Sequence, residues 1–231
     1  MSDFPERLAE IRARMEQSAE RAGRAPGEVT LLAVSKTFPA EALRTAVNCG
    51  LTAFGESRLQ EALPKMEALA DAGPLDWHLI GHLQKNKVAR AVGAFTLIHS
   101  VDTLPLAERI SRIAGEQGVI QPVLIEVNAA REPQKYGVLP DQAGPLCRAV
   151  GTLPHLRLMG LMGMTPYNQD PQAARPVFRD LARRFQQIAR EGYDGVEMRI
   201  LSMGMSGDFE VAIEEGATLV RVGSALFGER A

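Results

Sequence analysis

Cysteine, tryptophan and tyrosine are scarce in this chain: two, one and three residues among 231. Cys49 and Cys147 lie far apart and outside any CxxC spacing, so neither a disulfide framework nor a dithiol redox motif is available. Two such thiols fit a reduced, cytoplasmic setting. Long apolar runs are also absent. Nothing approaches the roughly 20 residues that cross a bilayer, and residues 1–24 are charged, without the apolar core of a secretory leader. Neither sign of charge prevails: 26 basic against 28 acidic side chains leave a formal net charge of −2. That balance offers no electrostatic footprint for nucleic acid, and the expected partners exclude both nucleic acid and membrane. P-loop, HExxH and nucleophile-elbow motifs are missing. The four histidines, His78, His82, His99 and His155, have no accompanying cysteine or carboxylate cluster. Gly81 and a strand end between His78 and His82 argue against a shared helical face, so no metal site is expected.

What is present has the profile of an ordinary globular chain, 45% hydrophobic and 23% charged, and the length suits one domain over residues 1–231. Residues 5–23 read as an amphipathic helix, with Leu8, Ile11, Met15 and Ala19 at three- and four-residue steps. After Pro26-Gly27, short apolar runs of strand length recur at 29–34, 52–54, 77–80, 95–98, 122–127, 156–162, 196–201 and 218–222. Helix-like segments separate them at 40–48, 59–72, 86–92, 104–117, 141–150, 173–191 and 208–215. Alternation of this kind indicates βαβ units and a parallel sheet, and eight strands favour closure into a single (β/α)8 TIM-type barrel. Residues 225–231 are too few for an eighth outer helix, a place the N-terminal helix can take. An open doubly wound sheet is the rival, but GxGxxG after the first strand is missing.

In such a barrel, chemistry lies at the C-terminal strand ends, and the loops after strands seven and eight often bind phosphate. Strand one ends in Ser35-Lys36-Thr37. Strand seven runs into Ser202-Met203-Gly204-Met205-Ser206-Gly207-Asp208, and strand eight into Arg221-Val222-Gly223-Ser224. Glycine admits close approach of backbone N–H groups to phosphate oxygens, serine adds a hydroxyl donor, and a helix starting near Ser206 or Asp208 would turn its positive end toward an anion. A lysine among apolar walls and near a second cation, such as Arg221, deprotonates more readily and can attack an aldehyde. An imine-forming lysine, an anion cradle and an arginine are together what pyridoxal 5′-phosphate requires. A guanidinium stays protonated and accepts no hydrogen bond, so it favours an unprotonated pyridine nitrogen and a weak electron sink.

The chain resembles the YggS/PROSC family of pyridoxal phosphate homeostasis proteins, whose fold is that of the alanine racemase N-terminal barrel. Seven segments in order carry the resemblance. They are Ala33-Val34-Ser35-Lys36-Thr37, Phe54-Gly55-Glu56-Ser57, the run from Trp77 through His78 to Lys87, and Lys135-Tyr136-Gly137. The remaining three are Gly160-Leu161-Met162, the run from Leu201 to Ser206, and Val220-Arg221-Val222-Gly223-Ser224. The resemblance implies that Lys36 carries the cofactor as a Schiff base and that Arg221 faces the pyridine nitrogen. It also implies that Ser202, Met203, Gly204 and Ser206, with Gly223 and Ser224, form the phosphate loops. Ser57 stands where the family usually has an asparagine near the cofactor, which implies a shorter contact or none. His78, at the end of strand three, either lines the pocket or is a packed histidine. Lys135 is a candidate secondary site. Lys85, Lys87 and Arg90 read as a solvated helix face, and Met159, Met162, Met164, Met203 and Met205 as barrel core.

Two functions are compatible with these residues. One is a cytoplasmic, monomeric carrier that buffers pyridoxal phosphate and delivers it to apo-enzymes. The other is a pyridoxal phosphate-dependent racemase or related enzyme, which needs a second base opposite Lys36. Tyr136 and Tyr167 follow strands five and six and are the candidates for that base, with Tyr193 the third tyrosine. The related racemase draws its second base from another domain and subunit, and the sequence favours the carrier. An imine-forming aldolase acting on a sugar phosphate would use the same lysine and anion cradle but explains the resemblance poorly.

Overall fold

Asp3 opens the first helix with a reciprocal cap. Its carboxylate accepts from the Glu6 N–H at 3.0 Å, while Glu6 accepts from the Asp3 N–H at 3.3 Å. The helix, α1 (Phe4–Arg21), buries Leu8, Ile11, Met15 and Ala19, the stripe expected from their spacing, and adds Phe4. The computed structural model describes residues 3–25, 27–165 and 170–228. Pro26 of the first loop, Tyr167 and residues 229–231 lie outside them.

Eight parallel strands follow: β1 (Thr30–Val34), β2 (Ala53–Glu56), β3 (Asp76–Leu79), β4 (Leu97–Val101), β5 (Gln121–Val127), β6 (Leu156–Gly163), β7 (Val196–Met205) and β8 (Leu219–Val222). They pair in chain order and close, with Leu32 of β1 opposite Arg221 of β8. The expected (β/α)8 barrel is the observed fold. The crossover helices are α2 (Ala40–Asn48), α3 (Leu59–Ala68), α4 (Val88–Ala91), α5 (Leu104–Glu116), α6 (Ala143–Gly151), α7 (Arg175–Glu191) and α8 (Phe209–Glu214). After β8 comes a single turn, α9 (Ser224–Phe227), that the sequence pattern did not indicate.

The N-terminal helix occupies the place of the eighth outer helix. Arg14 of α1 forms a bidentate pair with Glu210 of α8, Arg7 donates to the Leu226 carbonyl of α9 at 2.8 Å, and the Phe4 and Phe227 rings meet at 5.4 Å. Two boundaries differ from the pattern in informative ways. The segment after β3 is a 3-10 turn, Lys85–Lys87, followed by only one turn of α-helix. Strand β7 continues to Met205 although serine and glycine there read as a turn. Gly204 adopts φ +90°, and a Cβ on it would come within 2.5 Å of the Ala212 Cβ, so this glycine lets the strand bend against α8 without ending it.

Side-chain parity divides the barrel into two environments. On β5, Val123, Ile125 and Val127 belong to the large cluster packed against the helices, whereas Leu124 joins a small separate cluster with Leu97 and Met162. The alternate, inward set along the strands is half polar: His78, His99, Glu126, Ser202 and Arg221 are buried alongside Leu32, Leu97, Leu124 and Met162. The methionines therefore divide in a way their apolar character did not show. Met162 is interior with Met159 and Met164 against it, but Met203 points into the helix-facing core. No helix among the described residues is long and apolar enough to cross a membrane. Both cysteines are free, and burial pushes the Cys147 thiol up to about 12.

Candidate functional site

At the C-terminal end of the barrel lies a cavity of about 300 Å³, within the range of small-ligand sites. Val34, Ile80, Met162, Met164 and Met205 provide apolar walls, and Lys36 from the turn after β1 stands at one side. Arg221 lines it as well, and Ser206, Gly207, Gly223 and Ser224 form the rim at the ends of β7 and β8, the latter strand paired with β1. A second cavity, of about 310 Å³, lies at the other end of the barrel between α1 and the starts of β1 and β2. It has no lysine or histidine among its described lining residues, and barrel chemistry belongs to the C-terminal face.

Arg221 is 4% exposed and fixed from behind. Its Nη1 donates to Ser202 Oγ at 2.7 Å and its Nη2 to the Gly163 carbonyl at 3.0 Å. Burial lowers the guanidinium to about 10, against the opposing pull of Asp208 and Glu126, so it remains a cation at neutral pH. The contact continues beneath it. Ser202 Oγ lies 3.1 Å from His99 Nδ1, and His99 Nε2 lies 3.0 Å from His78 Nδ1. Burial holds His99 well below its usual value and His78 at about 4, so both rings are neutral. A neutral pair can share one N–H between them and accept the serine hydroxyl, which gives Arg221 an uncharged support that does not compete for its charge.

The rim is built from loops held by their own side chains. Ser206 Oγ accepts from the N–H groups of Gly223 and Ala225 at 3.1 and 3.3 Å, tying the β7 loop to the start of α9. Asp208 accepts from the Met205 N–H at 2.6 Å and from Thr165 Oγ1 at 2.8 Å, which turns its carboxylate toward the loop itself. Among the described residues nothing accepts from the N–H groups of Gly207 and Ser224. A Cβ at Gly207 would meet no atom within 4 Å, so its backbone borders open space. The helices that begin here, α8 and α9, have six and four residues, and the donors rather than a helix dipole are what an anion would find. On the far rim, Gly81 passes so close to Ser57 that a Cβ would lie 2.3 Å from the Ser57 carbonyl oxygen.

This donor set fits pyridoxal 5′-phosphate: hydroxyls and N–H groups for a phosphate, a permanent cation for a ring nitrogen, an amine for an aldehyde, and apolar walls for a flat ring. The family described as alanine racemase, N-terminal domain, matches residues 7–231. A pyridoxal phosphate homeostasis protein of Aquifex aeolicus is 48% identical over 225 residues, covering 97% of each chain. The chain belongs to the pyridoxal phosphate homeostasis proteins. PipY of Synechococcus elongatus, solved with PLP bound, is 36% identical with a TM-score of 0.85, over 98% of this chain and 100% of that one. The alanine racemase of Corynebacterium glutamicum is 17% identical, with a TM-score of 0.72, over 97% of this chain and 62% of that one, a likeness of fold alone.

Of the residues singled out in this homeostasis-protein sequence, Lys36, Ser57, Ser206, Arg221, Gly223 and Ser224 border one cavity. Ser202 and His78 lie behind it, in the chain of contacts under Arg221. Met203 contributes its side chain to the outer core, and Gly204 serves the bend of β7. Lys135 is engaged with Glu132 Oε1 at 2.7 Å and the Thr165 carbonyl at 3.4 Å. His99 and Glu126 were not anticipated. His99 lies in Leu97-Ile98-His99-Ser100-Val101 and Glu126 in Val123-Leu124-Ile125-Glu126-Val127, each at a position whose parity points inward. Tyr136 stacks on His82, centroids 3.9 Å apart, and Tyr193 bonds to Glu191. Tyr167 lies outside the described residues.

Proposed function

We propose that this chain binds pyridoxal 5′-phosphate in the C-terminal cavity, as a Schiff base on Lys36, and acts in intracellular homeostasis of the cofactor by buffering and delivery. The observation that carries the reading is convergence: Lys36, Arg221 and the Ser206–Ser224 rim arrive from β1, β8 and β7 at one cavity. The finding that a 36% identical relative holds the cofactor adds support. Bound there, the cofactor supplies an electrophilic aldehyde and a conjugated ring. The Lys36 amine would hold the aldehyde end of the group. Ser206, Ser224 and the N–H groups of Gly207 and Ser224 bind the phosphate. Arg221, kept protonated and pinned by Ser202 and Gly163, would donate to the ring nitrogen and withhold a proton from it. That arrangement favours holding over turnover, because a ring without a protonated nitrogen stabilises carbanions poorly.

The finer parts of the reading are a monomeric carrier in the cytoplasm with apo-enzymes as recipients. The racemase alternative requires a base facing Lys36 across the cavity, and among the described residues no tyrosine lines it. An absorbance spectrum of the purified chain beside Lys36→Ala, before and after borohydride, tests the core claim. The expected result is a visible band lost in the variant and trapped as a mass adduct on Lys36. A colourless chain that takes up no added cofactor refutes it. Incubation with a panel of L-amino acids is expected to yield no D-isomer and no keto acid; efficient turnover of any of them would make the chain an enzyme.

A further inference from the structure

Lys36 sits in a turn that its own sequence does not favour. Phe38 N–H donates to the Ser35 carbonyl at 3.1 Å, closing a four-residue turn with Lys36 and Thr37 at its centre. Thr37 has φ +72°, a conformation that turns of this kind normally assign to glycine or asparagine. A β-branched residue there is strained and persists only where its surroundings over-determine it. Here the surroundings are two charged side chains of α3. Lys65 Nζ donates to the Ser35 carbonyl at 2.8 Å, and Glu61 Oε2 accepts from the Thr37 N–H at 3.0 Å. Glu61 and Lys65 are four residues apart and share one helix face, so one element grips the peptide groups on either side of Lys36.

The grip is itself anchored. Lys65 Nζ also donates to Glu56 Oε1 at 2.6 Å, and Ser35 Oγ donates to the same oxygen at 2.7 Å. Ser35 and Glu56 are fully buried and Lys65 is 8% exposed, while Glu61 is partly exposed and also within 3.6 Å of Arg58. A buried ion pair adds little net stability over an apolar replacement, so stability alone does not account for this one. Its geometry acts on the turn.

We propose that Glu61 and Lys65 are positioning residues that hold the Lys36 turn in its strained form and thereby aim the Lys36 amine into the cavity. The inference rests on the cofactor reading of Lys36. Without the grip, Thr37 relaxes to negative φ, the peptide after Lys36 reorients, and the amine leaves its attack geometry. A displacement of about 1 Å is enough to slow a positioned reaction by up to roughly 100-fold.

The test follows the rate at which added pyridoxal 5′-phosphate becomes borohydride-trappable on Lys36 in the full chain. Binding of pyridoxine 5′-phosphate, which has no aldehyde, is measured alongside. Glu61→Ala and Lys65→Met are expected to slow trapping by about 10- to 100-fold while pyridoxine 5′-phosphate binds as in the wild type. Lys65→Arg is expected to retain most of the rate. Should Lys65→Met fail to fold, the partly exposed Glu61 variant still decides the question. Thr37→Gly placed in the Glu61→Ala background is expected to restore the rate to within about threefold, because glycine adopts positive φ without strain. A purely structural role would show no such rescue. Wild-type rates in the single variants, or no recovery with Thr37→Gly, overturn the inference alone. Absence of any adduct on wild-type Lys36 overturns the cofactor reading, and this inference with it.

Discussion

Glu126→Gln removes a titrating group from the barrel interior without changing its shape. Glu126 is 4% exposed, and its Oε2 has no hydrogen-bond partner among the described residues. Burial, reinforced by Asp102 and opposed by Arg221, pushes this carboxyl from 4.5 up to about 7. Because the folded value lies above the unfolded one, the folded chain keeps a proton that the unfolded chain releases. Stability therefore falls as pH rises from about 4.5 to about 7 and is level above that. At about 1.4 kcal/mol per pKa unit, the loss is about 3 kcal/mol. His78 acts in the opposite sense. Burial lowers it from 6.5 to about 4, so the unfolded chain binds a proton that the folded chain refuses, and stability rises by a similar amount across that window. His99, also held well below its usual value by burial, adds to the rise, so in the wild type the Glu126 slope is opposed by both histidines. The histidine slopes are common to both proteins, so their difference isolates Glu126, and Glu126→Gln is expected to gain on the wild type by about 3 kcal/mol between pH 4 and pH 8. Urea unfolding of both cofactor-free proteins, followed by circular dichroism at unit pH steps, measures that difference. A difference that stays constant across the range would refute the assignment of Glu126 as a buried, protonated acid.

Arg221→Glu is expected to alter the absorbance of the bound cofactor, since it replaces a fixed donor with a group that can pass a proton to the ring nitrogen. It also leaves Ser202 and the Gly163 carbonyl without their donor, at about 1–3 kcal/mol for each buried group left unpaired. An unchanged spectrum and affinity would remove Arg221 from the site. Ile11→Ala, at a 2% exposed position on α1, is expected to cost about 2–5 kcal/mol in chemical denaturation. A loss below about 1 kcal/mol would mean that α1 is not an integral outer helix of the barrel.

The order and number of strands were legible because each is a short apolar run bounded by turn residues, and closure followed from counting eight of them. The cavity residues Lys36, Ser206, Arg221, Gly223 and Ser224 were legible because they end strands, and the end of a barrel strand has a fixed place in space. What local pattern left undecided is what parity and packing determine together. His99 and Glu126 are polar residues within mainly apolar strands, and their role depends on which neighbours the closed barrel sets across the interior: Ser202 and His78 for one, Asp102 and Arg221 for the other. Met203 and Ser202 are adjacent in sequence and lie on opposite sides of the sheet. Lys65 is an unremarked lysine in a helix until α3 docks and brings its ammonium to the Ser35 carbonyl, 30 residues earlier. The sequence determined the barrel and the ends of its strands, because strand and helix periods are local. Only the tertiary structure decided which charges share its interior and which side chains hold the lysine, because those contacts join residues far apart in the chain.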